Sequence, residues 1–174
     1  MKARPAMILI GLGANLPTPG YAGPRETLEA ALARLAEAGV LIEAVSPWYR
    51  TAPVPASDQP DYVNAVAAVA TDLGPRRLLA LLHAVEAAFG RRRGVRNAPR
   101  GIDLDLLVHG DLVVDTPTLA VPHPRLAQRA FVLMPLADLL ARLGADWRHP
   151  ASGADIATLL AGLPCDQRAE RLAG

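Results

Sequence analysis

Cysteine and lysine are nearly missing from this chain. Cys165 is the only cysteine among 174 residues, so no internal disulfide can form and a secreted, disulfide-stapled scaffold is excluded. A reducing, cytoplasmic setting is expected. Lys2 is the only lysine, which removes the GxxxxGK(S/T) phosphate loop and leaves arginine, backbone amides or metal for any phosphate chemistry. Charge of one sign is lacking too: the formal net charge is +1, which argues against a general affinity for long nucleic acid. The opening MKARPAMILIGLGANLP holds one short apolar run broken by glycines, too short for a signal h-region. No other run approaches the roughly 20 apolar residues of a membrane span. What remains is 51% hydrophobic, enough for one compact domain over residues 1–174 with one site.

Periodicity orders that domain. MILIGL (residues 7–12) reads as a buried strand, followed by a turn-rich loop. Residues 24–38 read as a helix with Pro24 in the first turn, a stripe of Leu28, Ala31, Leu32 and Leu35, and Gly39 at its end. Residues 40–49 and 63–70 read as strands, separated by the proline-rich TAPVPASDQPDY. A second helix opens at Gly74-Pro75 and closes at Gly90, and a strand follows over residues 102–108, with HGD turning into LVV as a hairpin. The order β-α-β-β-α-β predicts an α+β, ferredoxin-like sandwich: an antiparallel sheet with helices on one face. A segment VPHPRLAQRAF, a short helix over 133–143 and a last helix over 156–163 are additions to it.

The chemistry concentrates between residues 91 and 110. Arg91, Arg92, Arg93, Arg96 and Arg100 share a loop with no acid among them, and guanidinium forks suit phosphate oxygens. Next to them, Asp103 and Asp105 fall on one strand face while Ile102, Leu104 and Leu106 fall on the other. Carboxylates roughly 6 to 7 Å apart along a strand repel unless a cation lies between them, and an all-oxygen pair favours Mg²⁺ or Mn²⁺. Read alone, the aspartates could be a solvated strand edge and the arginines a solvated or nucleic-acid-binding loop. Together they suit a metal-bound polyphosphate. The loop holds no aromatic residue for stacking RNA bases.

Three further segments carry weight. GLGANL follows a strand, but Leu16 stands where a dinucleotide fingerprint needs its third glycine, and prolines come next; Gly11 and Gly13 read instead as a tight strand exit. In DQPDYVNA, Tyr62 and Asn64 share a strand face, one offering a flat ring and the other an amide that donates and accepts. His123, between Pro122 and Pro124, has a stiff loop beneath it.

GLGANL, SPWYRTAPV, DQPDYVNAV, APRGIDLDLLVHG and VPHPRLAQRAFVLMPL, in this order and spacing, closely resemble the 6-hydroxymethyl-7,8-dihydropterin pyrophosphokinase family of folate biosynthesis, over about residues 8–138. The resemblance implies a ferredoxin-like fold and transfer of pyrophosphate from ATP to a pterin hydroxymethyl group, releasing AMP. It implies that Asp103 and Asp105 hold two Mg²⁺ ions on the ATP phosphates. Arg91 and Arg100 would meet those phosphates with Arg93, His123 and Arg129 assisting, and His83 and Glu86 would approach the nucleotide. Tyr62 and Phe131 would sandwich the pterin, Asn64 would read its edge, and Thr51, Ala52, Pro53 and Val54 would line its pocket. Asn97 departs from the family pattern, which often has tryptophan there. The partners implied are the two substrates, with no membrane and no nucleic acid, acting on a cytoplasmic monomer. A ferredoxin-like nucleic-acid-binding module and a metal-dependent phosphohydrolase are the alternatives.

Overall fold

The computed structural model describes residues 7–90 and 101–174. Its elements are β1 (Ile8–Ala14), α1 (Pro24–Glu37), β2 (Leu41–Val45), β3 (Tyr49–Thr51), β4 (Tyr62–Ala70), α2 (Pro75–Ala88), β5 (Asp103–His109), β6 (Val114–Thr116), β7 (Leu119–Val121), α3 (Ala130–Leu143), α4 (Ile156–Ala161) and β8 (Ala169–Arg171). The main sheet runs β5-β1-β4-β3-β8, with β2 also on β4, and every pairing is antiparallel. This is the expected α+β, ferredoxin-like arrangement. Among the described residues no helix is long and apolar enough to cross a membrane.

The two long helices begin and end where their punctuation predicts. Prolines occupy the first turns of α1 and α2, where a missing N–H costs nothing. At the end of α1, Gly39 has φ +89°, the Gly39 amide donates to the Ala36 carbonyl and the Val40 amide to Leu35. That is a Schellman close, and it needs the left-handed conformation that glycine adopts freely.

Four expectations change. Residues 40–49 form two strands, because Pro47 has no amide to donate and the Ser46 hydroxyl takes the Val66 amide (3.0 Å) at the break. LVV does not fold back on β5: at Gly110 (φ +61°) the chain leaves the sheet, and the hairpin forms further on, between β6 and β7. Gly11 and Gly13 lie inside β1, paired across β4 and β5, and are no strand exit. Helices cover both faces of the sheet. Against α1 and α2 pack Ile10, Leu12, Ala67, Leu104 and Leu106; against α3 pack Leu9, Val66, Ala68, Leu107 and Val108.

The second core explains why α3 is longer than expected. It starts at Ala130 and tolerates Pro135 inside it, since burying Val132, Leu133, Leu136, Leu139 and Leu140 outweighs one lost ladder bond. A bulge in β5 supports it: register shifts between Leu9 and Ile10, so Leu107 and Val108 both reach the α3 side. β8 was not foreseen. Three residues, AER, carry too little pattern for a strand until an edge is offered to them.

Candidate active site

The site lies on the α3 side of the sheet, at the end that α3 leaves uncovered. Its floor is one row of paired residues, Asn64 facing Gly13 across β4 and β1 and Gly13 facing Asp103 across β1 and β5, with Thr51 facing Tyr62 two residues before Asn64 on β4. Two inter-strand steps of about 4.8 Å make that row roughly 10 Å wide. Asp105 pairs with Gly11 one step along, so both aspartates stand opposite glycines. No side chain of β1 rises between the acids and β4.

Gly13 is required by that geometry. A Cβ there would lie 2.9 Å from Oδ1 of Asn64, so the Asn64 carboxamide occupies the space above the glycine. Its Nδ2 donates to the Thr51 hydroxyl at 2.6 Å. Asn64 and Thr51 are both buried, which fixes the amide's direction. Tyr62 donates its hydroxyl to Gln59 Oε1 (3.4 Å), and Asn15 Nδ2 donates to the same oxygen (3.2 Å), tying the proline-rich loop to the end of β1.

Above this floor is a cleft of about 320 Å³. Ala52, Pro53 and Val54 wall it on one side, and His123, Arg129 and Phe131 come down from the segment that leads into α3. His83 reaches it from α2 around the β5 edge. Arg129 stands at the centre of the charge: Nη1 is 3.9 Å from Oδ2 of Asp105, and its guanidinium lies 5.2 Å from the centroid of the Phe131 ring. A cation over an aromatic face fixes the ring and the charge together.

His123 is neutral here. Burial, then the charges of Arg129 and Arg125, push its pKa down to about 4, against a smaller upward pull from Asp103. Its Nδ1 accepts from the Arg125 amide (3.1 Å), which puts the proton on Nε2 as a hydrogen-bond donor. Its backbone amide donates to the Leu107 carbonyl at 2.8 Å, anchoring the loop on β5.

The structure brings Asp103, Asp105, His83, His123, Arg129, Thr51, Ala52, Pro53, Val54, Tyr62, Asn64 and Phe131 around one cleft. Glu86 is not among the residues lining it. It is buried in α2, and its Oε1 accepts the Leu104 amide at 2.7 Å, holding the exposed edge of β5 between the two aspartates. Arg91, Arg93 and Arg100 lie outside the described residues. The sequence reading missed Gly13, Gln59 and Arg125 as parts of the site. Gln59 and Arg125 lie inside the quoted motifs, but their roles emerge only where loop and sheet meet.

An Mg²⁺ ion fits this setting. Mg²⁺ commonly uses one or two carboxylates and completes its shell with water and substrate phosphates. Asp103 and Asp105 supply such a pair, partly exposed, over glycines that leave room for a phosphate chain. Among the described residues no cluster of three or more His, Cys, Asp or Glu side chains forms a metal cage, so an ion held by this pair would take its remaining ligands from water and substrate oxygens.

Comparison with known proteins agrees. The model of the 7,8-dihydro-6-hydroxymethylpterin-pyrophosphokinase (HPPK) family matches residues 9–141. The 2-amino-4-hydroxy-6-hydroxymethyldihydropteridine pyrophosphokinase of Pseudomonas aeruginosa is 44% identical over 170 residues, covering 96% of this chain and 97% of the relative. The enzyme of the same name from Synechocystis is 38% identical, covering 90% of this chain and 76% of the relative. A crystal structure of a triple-mutant HPPK-DHPS from Plasmodium falciparum superposes with a TM-score of 0.65 at 15% identity, over 89% of this chain and 44% of that one, which speaks to the fold. The chain belongs to the 7,8-dihydro-6-hydroxymethylpterin-pyrophosphokinase family, and it transfers pyrophosphate from ATP in folate biosynthesis.

Proposed function

We propose that the cleft holds both substrates end to end, the triphosphate over Asp103 and Asp105 and the pterin over Asn64 and Thr51, with Arg129 at their junction. The observation that carries this is the floor row itself. Acids stand at one end, an amide with its hydroxyl partner at the other, and a side-chain-free strip of β1 separates them. Two inter-strand steps, roughly 10 Å, separate Asn64 from Asp103, room for a heterocycle and a phosphate in line.

Each residue then has a task. Tyr62 and Phe131 clamp the faces of the ring, and the oriented Asn64 amide reads its edge. Asp103 and Asp105 hold Mg²⁺, two ions in this reading, which neutralises the triphosphate and lowers the pKa of the acceptor hydroxyl when bound. The hydroxymethyl oxygen attacks the β-phosphorus and releases its proton to water, the bond from that phosphorus to the α,β-bridging oxygen breaks, and AMP departs with that oxygen. Arg129 holds the bound triphosphate and meets the charge that grows on it, and His123 offers its Nε2–H to a phosphate oxygen. With Nδ1 occupied by the Arg125 amide, the nitrogen that His123 turns to the cleft carries the proton, so the ring acts as a donor and not as the base. Pro53 and the loop around it limit access of water, whose attack on ATP would compete. Arg91, Arg93 and Arg100 join the phosphate contacts in this reading. In this reading the protein works as a monomer in the cytoplasm, where its ATP is supplied.

AMP formation from Mg-ATP, measured with and without 6-hydroxymethyl-7,8-dihydropterin, tests this. AMP should appear only with the pterin and only with Mg²⁺. Equal nucleotide cleavage without pterin would make the cleft a phosphohydrolase site. Nothing in the comparisons supports the nucleic-acid-binding alternative.

A further inference from the structure

The family match ends at residue 141, and the site described so far uses nothing beyond Phe131. The C-terminal segment nevertheless reaches it. Arg129 is the N-cap residue of α3, and its own side chain makes no capping hydrogen bond. The cap comes from 37 residues away: Gln167 Oε1 accepts from the Ala130 amide at 2.7 Å. Gln167 Nε2 donates to the Gln128 carbonyl at 2.8 Å. One carboxamide thus closes on the backbone on both sides of Arg129, a task that needs donor and acceptor on one planar group.

Gln167 is itself anchored. Two residues later the chain enters β8, where Ala169 pairs with Thr51 and Arg171 with Tyr49. The Leu172 amide donates to the Trp48 carbonyl at 2.8 Å. Arg171 Nη1 lies 3.5 Å from Oδ2 of Asp138 in α3, and the same oxygen accepts the Tyr49 hydroxyl at 2.8 Å. Residues 167–172 therefore tie β3, which carries Thr51, to the first turn of α3, which carries Arg129 and Phe131. A long side chain such as arginine reaches a fixed point only when the backbone beneath it is fixed, because its own torsions supply little restraint.

We infer that Gln167 is a positioning residue for the transfer reaction: by clamping Gln128 and Ala130 it sets where the Arg129 guanidinium stands over the triphosphate. The inference rests on the placement of Arg129 given above. Gln167 is only half-buried, so its replacement leaves the cores intact.

The test compares Gln167→Ala, Arg129→Ala and the double variant in the full chain, by steady-state kinetics with Mg-ATP and by thermal unfolding. Gln167→Ala should raise the KM for Mg-ATP about fivefold to tenfold, the scale of one lost hydrogen bond, with a smaller change in kcat. In the Arg129→Ala background the same change should add less than about twofold, because no guanidinium is left to misplace. A Gln167→Ala protein with lowered Tm and unchanged KM would reduce the residue to a helix cap and overturn the inference. So would a full-sized effect that persists without Arg129. An Arg129→Ala protein with wild-type Mg-ATP affinity would overturn the assignment of Arg129 and this inference with it, whereas a damaged Arg129→Ala beside a silent Gln167→Ala overturns the inference alone.

Discussion

On the face under α1 and α2, β1 contributes Ile8, Ile10 and Leu12, and β5 contributes Leu104 and Leu106, all buried. On the other face the same strands contribute Gly11, Gly13, Asp103 and Asp105. Alternate residues of one segment thus serve different ends. The first face is filled by large apolar side chains in contact, which stabilises the sheet and holds the strands in register. The second is divided along its length: near Leu9, Leu107 and Val108 it is a second core under α3, and near Gly13 and Asp103 it stays open, polar and partly exposed. A rigid floor for chemistry is obtained by placing the reactive groups on the backs of residues whose neighbours are buried.

The largest test of that contrast uses neighbours in sequence. Asp103→Ala should lower pyrophosphate transfer by at least about a thousandfold while Tm moves little, because a metal ligand is lost from an open face. Leu104→Ala should do the reverse, lowering unfolding stability by about 2 to 5 kcal/mol, because it leaves a cavity under α2. Denaturant unfolding and AMP release, measured on both proteins, check the pair; a stable, active Asp103→Ala would dissolve the distinction between the faces.

A smaller effect is expected at the glycines. Gly13→Ala places a methyl where Asn64 Oδ1 lies 2.9 Å away, so the amide must turn and its bond to Thr51 weakens. The KM for the pterin should rise about tenfold, the scale of one misplaced polar contact, with the KM for ATP nearly unchanged. Gly11→Ala meets only Leu107 at 3.3 Å and should be milder. Equal damage to both substrates from Gly13→Ala would show that the two ends of the cleft are not separate.

The smallest effect concerns His123 and pH. Its folded pKa is about 4 and its ordinary value is 6.5, so between those values the unfolded chain binds a proton that the folded one refuses. This contribution to stability is complete above pH 6.5 and is lost progressively as pH falls toward 4. His123→Gln should flatten the decline in the urea midpoint of the metal-free protein over that window. An unaltered slope would mean the ring is not shielded as the cleft implies.

Much of this was legible from local pattern. The helical stripes, the proline starts, the glycine stops and the alternation of DLDLL state their structures through periods that the backbone imposes, and Asp103 and Asp105 fall on one face whatever the neighbours are. The break at Pro47 was visible as a residue but not as a consequence, since the strand resumes only because β4 continues past it. The hairpin was misplaced because a glycine turn says that the chain bends, not which strand it will meet.

The sequence by itself determined where the two long helices start and stop, the two-sided character of β1 and β5, and the near-absence of lysine that leaves phosphate contacts to arginine. Only the tertiary structure decided that Gly13 makes room for Asn64, that Glu86 steadies the β5 edge between the acids, and that Gln167 brackets Arg129. The reason is range. A period is read within a few residues, whereas those contacts join positions 18 to 51 residues apart, and nothing in either member of a pair announces its partner until the sheet has formed.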